Sequence, residues 1–453
     1  MKNYLPIIAF FFFTNTFAQQ KYWRANVNTG EYGSLNTHFI VTEQGGFVLG
    51  TTKPGANKRI VGGLKGALAK GMFQRDGSVM ELDSVTIKDN VVTGNLMLQK
   101  KKYYLKGTKD GNSIIAAITG KSSGKVYGRF EAREVDLLEK PNDYVKVWSD
   151  IKSMTEKLIF KKTVLDTKEW KGFVSYMDKF SAKAEDDGEF LYGFFYKGKD
   201  LPFSHYTLTG KKDEPGNFAV PGSLAGQNNP VPSLTRIDSG TFLMDIPAFD
   251  FRANIIDSLM LMVLNSSAKN LVVDLRKNPG GDMEGGMRLC EYITDRTLYG
   301  GVVLSQAYWN THQQPPAPKD YSNFKTLNNA NYAWFREEVK NGVIGLSIVT
   351  NPLPNTFKGK IFILTSSTTA SSSEPLVYTL QKENIATIIG GKTAGAVLSM
   401  EHFYLYNFAL SIPVLDYYTF DGKRLDNNGV EPDVKCNPQD AMTIALNKIK
   451  EAN

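Results

Sequence analysis

The chain has 453 residues, more than one ordinary core accommodates, so two to three domains are expected. Apolar residues make up 42% and charged residues 22%, the balance of a soluble globular protein. The net charge of +7 comes from scattered lysines and not from a basic tract, which argues against nucleic acid as a partner. With two cysteines and no CxxC, HExxH or clustered Cys/His spacing, no metal or other cofactor is expected.

Residues 1–18 read as a signal peptide. Lys2 supplies the positive start, Leu5 to Phe13 an apolar core too short to span a bilayer, and Thr16-Phe17-Ala18 a cleavage site before Gln19. The mature protein is therefore expected to be exported, periplasmic or extracellular, with no stable membrane anchor once the signal is removed. No cysteine follows the cleavage site, so lipid attachment is not indicated.

Residues 19–138 read as an all-β accessory domain. Runs such as THFIVTE, NVVTGNLML and SIIAAITG are separated by Gly, Asn and Asp, the pattern of a small barrel or sandwich. Residues 139–235 read as a helical cap region. Val147, Ile151, Met154 and Leu158 recur at helical spacing, and Trp170, Phe173 and Met177 continue it after a break. The aromatic run from Glu189 to Leu208 reads as a hairpin or strand pair carrying Ser204-His205. Lys211 to Pro232, rich in Gly, Pro and Asn, reads as a long exposed loop. From 236 to 453 short apolar strands alternate with helices, which predicts an α/β core with a mostly parallel sheet. Cys290 and Cys436 fall in different elements of that core and are expected to be two buried free thiols.

Two strands of the core end in unusual turns. NLVVDLRKNPGG, Asn270 to Gly281, offers glycine amides that can approach a ligand closely. IFILTSSTTASSSE, Ile361 to Glu374, offers a serine cluster before a helix. Side by side, they supply an oxyanion-binding loop and a nucleophile, the minimum equipment for acyl transfer. Spacing alone favours a plainer reading, because Ser371 and Glu374 stand as in a capping box and Pro375 suits an early helical turn. Asp274 and Arg276 are expected to shape the first loop.

DLRKNPGG, TTASSSE and GGKTAG, in this order, resemble the C-terminal-processing (tail-specific) serine peptidase family. GTFLMDIPAF (Gly240 to Phe249) and NGVEPDV (Asn428 to Val434) resemble its flanking segments. The resemblance spans roughly Ser204 to Glu451. It implies a crotonase/ClpP-like core, Ser371 as nucleophile, and oxyanion amides from Ser372 and from Gly280 or Gly281. One branch of the family places a lysine base after the Thr-x-Gly turn, but here Thr393-Ala394-Gly395 is followed by Ala396. The other branch, similar to the tricorn protease core, uses an upstream Ser-His pair and a late acid. That implies His205 as base, Ser204 orienting it, and Asp426 behind, where Glu is usual; Glu374 and Glu431 are alternative acids and His402 the alternative base. About 30 residues separate His205 from the core strand, too few for a PDZ domain. The expected activity is serine-type endopeptidase on polypeptide substrates, with a binding or scaffolding role as the alternative. An esterase would share the machinery, but no G-x-S-x-G elbow is present.

Overall fold

The computed structural model describes residues 21–52, 56–61, 79–98, 101–120, 123–212, 231–327 and 332–451. The expected signal peptide and residues 213–230 of the long loop lie outside the described residues.

The first unit is a closed antiparallel barrel of eight strands in simple up-and-down order. They are β1 (Lys21–Thr29), β2 (Gly33–Gln44), β3 (Phe47–Thr51), β4 (Glu81–Lys88), β5 (Val91–Leu98), β6 (Lys101–Asp110), β7 (Ser113–Thr119) and β8 (Val126–Val135). A short helix, α1 (Ala56–Val61), lies between β3 and β4. Alternate residues point inward, as in β5, where Val92, Leu96 and Leu98 are buried. Val27, Phe39, Ile118 and Phe130 help fill the lumen, so the barrel has a packed core.

Residues 183–192 group with the barrel. Asp186 accepts from the Thr37 hydroxyl, Asp187 from the Asn36 amide, and Glu189 pairs with Arg59 at 2.6 Å. Burial raises the carboxyls of Asp186 and Glu189, to about 6 and about 7.

The second unit contains two helices that follow the predicted periodicity, α2 (Tyr144–Leu158) and α3 (Lys168–Ser181). Val147, Trp148 and Ile151 are buried on the first, Trp170, Phe173 and Met177 on the second, and Thr167 caps α3 through the Trp170 amide. The segment from Glu189 forms a helix, not the expected hairpin: α4 spans Asp187–Gly198. The physical reason is a pair of capping bonds. Asp186 accepts from the Glu189 amide and Glu189 accepts from the Glu185 amide, each at 2.8 Å. These bonds start a helix that the β-favouring aromatics alone would not suggest.

In the core, β10 (Ser233–Arg236), β11 (Thr241–Asp245), β12 (Asn270–Asp274), β16 (Lys360–Thr365), β17 (Thr387–Gly390) and β20 (Val434–Lys435) form one sheet. All its pairings are parallel except β10 with β11. A second sheet runs β14 (Lys325–Leu327), β15 (Gly345–Thr350), β13 (Leu298–Ser305), β19 (Phe408–Tyr418), β18 (Ser399–Leu405), with β9 (Thr207–Gly210) also on β19. It is antiparallel apart from β14 with β15. The core helices are α5 (Asn254–Leu264), α6 (Glu284–Ile293), α7 (Gln306–Trp309), α8 (Tyr332–Lys340), α9 (Ser373–Lys382) and α10 (Ala441–Glu451). One large apolar cluster, with Met244, Val273, Leu289, Val303, Ile363 and Leu415 among its members, packs residues of both sheets together. Both cysteines are free; Cys290 is buried as expected, whereas Cys436 is only half-buried. No described helix is long and apolar enough to cross a membrane.

Candidate active site

The two turns singled out in the sequence follow adjacent strands. β12 and β16 pair in parallel register, Asp274 opposite Leu364, so their C-terminal ends lie side by side. Asp274 and Arg276 form an ion pair at 2.6 Å, and Arg276 also donates to the Pro438 carbonyl, which fixes the exit of β12. Asn278 joins the two turns. Its side chain donates to the Ile246 carbonyl and accepts from the Gly280 amide and the Ser373 hydroxyl, while its carbonyl accepts from the Ala370 amide.

Ser371 sits in left-handed backbone, φ 55°, a sparsely populated conformation for a serine and a form of stored local strain. Its amide donates to the Ala396 carbonyl at 2.7 Å. Glu374 faces the same turn, fully buried, and accepts from the Thr393 hydroxyl and the Gly395 and Ala396 amides. Burial raises its carboxyl above the ordinary range, against the pull of these donors. The capping-box alternative is not formed, because Ser372 is the cap residue of α9, makes no side-chain cap bond, and Glu374 is occupied elsewhere.

His205 is also held at positive φ, 61°. Phe203 and Tyr206 flank the Ser204-His205 pair and are buried against Trp170, while the Tyr206 hydroxyl bonds Thr155 of α2. β9 then binds the chain to β19. The result is a continuous line of contacts. His205 Nε2 is 3.2 Å from Ser371 Oγ, His205 Nδ1 is 2.7 Å from Ser204 Oγ, and Ser204 Oγ donates to Asp426 Oδ1 at 2.5 Å. A hydroxyl has one proton to give. With that proton on Asp426, Ser204 accepts from His205 Nδ1–H, leaving the Nε2 lone pair for Ser371. Burial lowers the His205 imidazole below its usual value, and the Asp426 charge offsets only part of this.

Asp426 is fully buried. Besides the Ser204 hydroxyl it accepts from the Ser204 and Val397 amides and from Arg424 Nη2, which lies 3.2 Å away. Its short reach is sufficient because its contact is Ser204, not the imidazole. His205, Gly281, Ser371 and Ser372 line one cleft of about 490 Å3. Residues 243–436 match the model of peptidase family S41.

Over that stretch the core resembles this family. Among similar solved structures is a lipoprotein from Streptococcus agalactiae, 17% identical, the match covering 69% of this chain and 99% of that one with a TM-score of 0.46. A putative peptidase from Parabacteroides merdae is 14% identical over 68% of this chain and 96% of that one, TM-score 0.45. The tricorn protease is 12% identical over 91% of this chain and 46% of that one, TM-score 0.43.

Several alternatives within the core separate on geometry. Glu374 clamps the Thr-Ala-Gly turn, and Glu431 is paired at the surface with Lys392 at 2.9 Å, so neither is the acid bonded to Ser204. His402 lines the cleft but has its Nδ1 on Ser411. The Gly280 amide is taken by Asn278, whereas among the described residues neither the Gly281 nor the Ser372 amide has an acceptor. Gly280 has a different use. A Cβ there would stand 2.5 Å from Ser371 Cβ, at φ 100°. Gly280→Ala is therefore expected to displace the Ser371 side chain and cut kcat/KM by roughly 100-fold or more, since small misplacements cost about that much. Peptide hydrolysis alongside a melting curve checks it; full activity in a folded variant would count against the arrangement.

Sequence reasoning missed Asn278 and the pair Asp416–Arg424. The one available signal was Asp416, a lone charge inside the apolar run of β19; it is buried and pairs with Arg424 at 3.0 Å.

Proposed function

We propose that the protein is an exported serine endopeptidase that cleaves polypeptides through an acyl-enzyme on Ser371. The observation that carries this reading is the unbroken contact line Asp426–Ser204–His205–Ser371. Ser371 Oγ attacks the scissile carbonyl carbon while His205 Nε2 takes its proton. The oxyanion is received by the Ser372 and Gly281 amides, and the helix dipole of α9 favours the charge. His205 then hands the proton to the leaving amine. A water enters, gives a proton to Nε2, and its oxygen attacks the ester carbonyl; as the C–Oγ bond breaks, Nε2 returns that proton to Ser371 Oγ and the acid leaves. The 3.2 Å separation of base and nucleophile is at the long end for a hydrogen bond, as expected before substrate binds. A lowered imidazole pKa suits the role, because the base must be neutral to act. A protein retaining the fold only for binding would have no need to hold its serine in strained backbone against an imidazole.

The test is labelling of the native protein with a serine-directed fluorophosphonate, followed by digestion and mass mapping. One adduct on Ser371 is expected, with Gln19 as the first residue. No adduct, or an adduct on Ser372 or Ser373, would defeat the mechanism; a mature chain beginning at Met1 would defeat export.

A further inference from the structure

A second, smaller cavity of about 50 Å3 adjoins the cleft beside Ser372. Met283, Ile348, Ser372 and Pro375 line both spaces, so the small one is a side pocket of the large one. Its remaining wall is mostly apolar, with Leu298, Leu376 and the Cys290 thiol. Burial pushes that thiol up to about 12, so it stays neutral and behaves as a small apolar group.

Two hydroxyls in this wall do not fit an apolar pocket. Ser372 Oγ and Thr379 Oγ1 are both buried and neither has a hydrogen-bond partner. Thr379 is only 4% exposed and lies on α9. A threonine within a helix commonly bonds back to a carbonyl of the preceding turn, but here it does not. Buried hydroxyls left without partners are rare and costly, and a ligand bearing a polar group removes the cost.

We propose that this pocket receives the side chain of the residue whose carbonyl is attacked, and selects threonine or serine there over valine and over large apolar residues. The inference rests on the serine-peptidase reading. With the carbonyl oxygen at the Ser372 amide, the adjoining α-carbon of the substrate lies beside the Ser372 side chain, which opens into the pocket. Size sets the upper limit. At about 10–15 Å3 for one water by such a measure, the space admits on the order of three or four heavy atoms, enough for a short branched side chain but not for a ring. Polarity then decides between isosteres. Threonine can bond Thr379 Oγ1 and Ser372 Oγ, whereas valine fills the same volume and leaves both unpaired.

The experiment is a series of fluorogenic peptides differing only at the residue before the scissile bond: Thr, Ser, Val, Ala, Leu and Phe. The expected kcat/KM for Thr exceeds that for Val by about tenfold or more, with Phe lowest, because sites that bond a substrate hydroxyl discriminate against its loss. Thr379→Val should erase or invert the Thr/Val ratio. Ser372→Ala keeps its main-chain amide and should also shrink that ratio, so it serves if the first variant does not fold. A wild-type preference for Val, Leu or Phe overturns the proposal, as does an unchanged ratio in folded variants or selectivity confined to the residue after the scissile bond. Cleavage without this preference defeats the pocket alone. No cleavage of any peptide together with no labelling of Ser371 defeats the peptidase reading as well.

Discussion

Replacing Ser371 by alanine and His205 by alanine should each lower kcat for a peptide substrate by about 10^4 to 10^6, and the double variant should fall no further than the worse single one. The reason is that, on the mechanism proposed, the two side chains perform one act. Ser371 Oγ has no value as a nucleophile until Nε2, 3.2 Å away, takes its proton, and Nε2 has no proton to pass to the leaving amine unless Ser371 has attacked. Removing either leaves only the amides of Ser372 and Gly281 and whatever substrate binding provides. Losses that multiplied would mean that the two residues act independently, and a single variant retaining most of the wild-type rate would remove that residue from the mechanism. Measuring kcat rather than turnover at one concentration separates this from weakened binding. Alanine keeps the Cβ that disfavours positive φ, so neither change relieves the backbone strain, and a melting curve of each variant separates lost chemistry from lost stability.

Asp426→Asn is expected to cost about 10^2 to 10^4 in kcat/KM, the range found when the acid of such a relay loses its charge. The carboxylate only accepts, and so dictates that Ser204 Oγ points its proton away from His205. An asparagine amide can donate to Ser204 instead, which frees the hydroxyl proton to turn toward Nδ1 and promotes the wrong tautomer. A pH profile distinguishes this from simple misfolding. The active form of His205 is neutral, so activity rises with pH through the imidazole pKa. Burial already places that rise below the ordinary histidine value, and the Asp426 charge counteracts part of the effect. Losing the charge should move the acid limb further down in pH while lowering the plateau. A lowered plateau with an unmoved limb, or one moved upward, would show that Asp426 does not act through His205.

How much of this could be read from the sequence depended on whether the signal was local. The barrel strands are legible because inward and outward residues alternate along each run, as in β5. The parallel strands β12 and β16 are short apolar runs ended by small residues, and their turns stand out for that reason. α4 was not legible from its aromatic composition; the deciding signal was Asp186 and Glu189, whose carboxylates cap the Glu189 and Glu185 amides. The second sheet was largely invisible because β13, β15 and β19 come together from widely separated parts of the chain. In the site, the choice between Gly280 and Gly281 could not be made from NPGG itself. It follows from the Asn278 side chain, which occupies one of the two amides. Likewise, nothing near Glu374 in sequence says that it holds the turn ending at Ala396, the residue whose carbonyl in turn fixes Ser371.

The bond between Ser204 and Asp426 joins residues 222 positions apart. Its consequence concerns synthesis. A ribosome that has made Ser204, His205 and even Ser371 has not yet made the carboxylate that orients them. Only when the chain has grown past Asp426, close to its C-terminal helix, can the relay assemble. On the mechanism proposed, nascent and prematurely terminated chains lack a working relay, and the maker of this enzyme is shielded from it during translation by the order of its own residues.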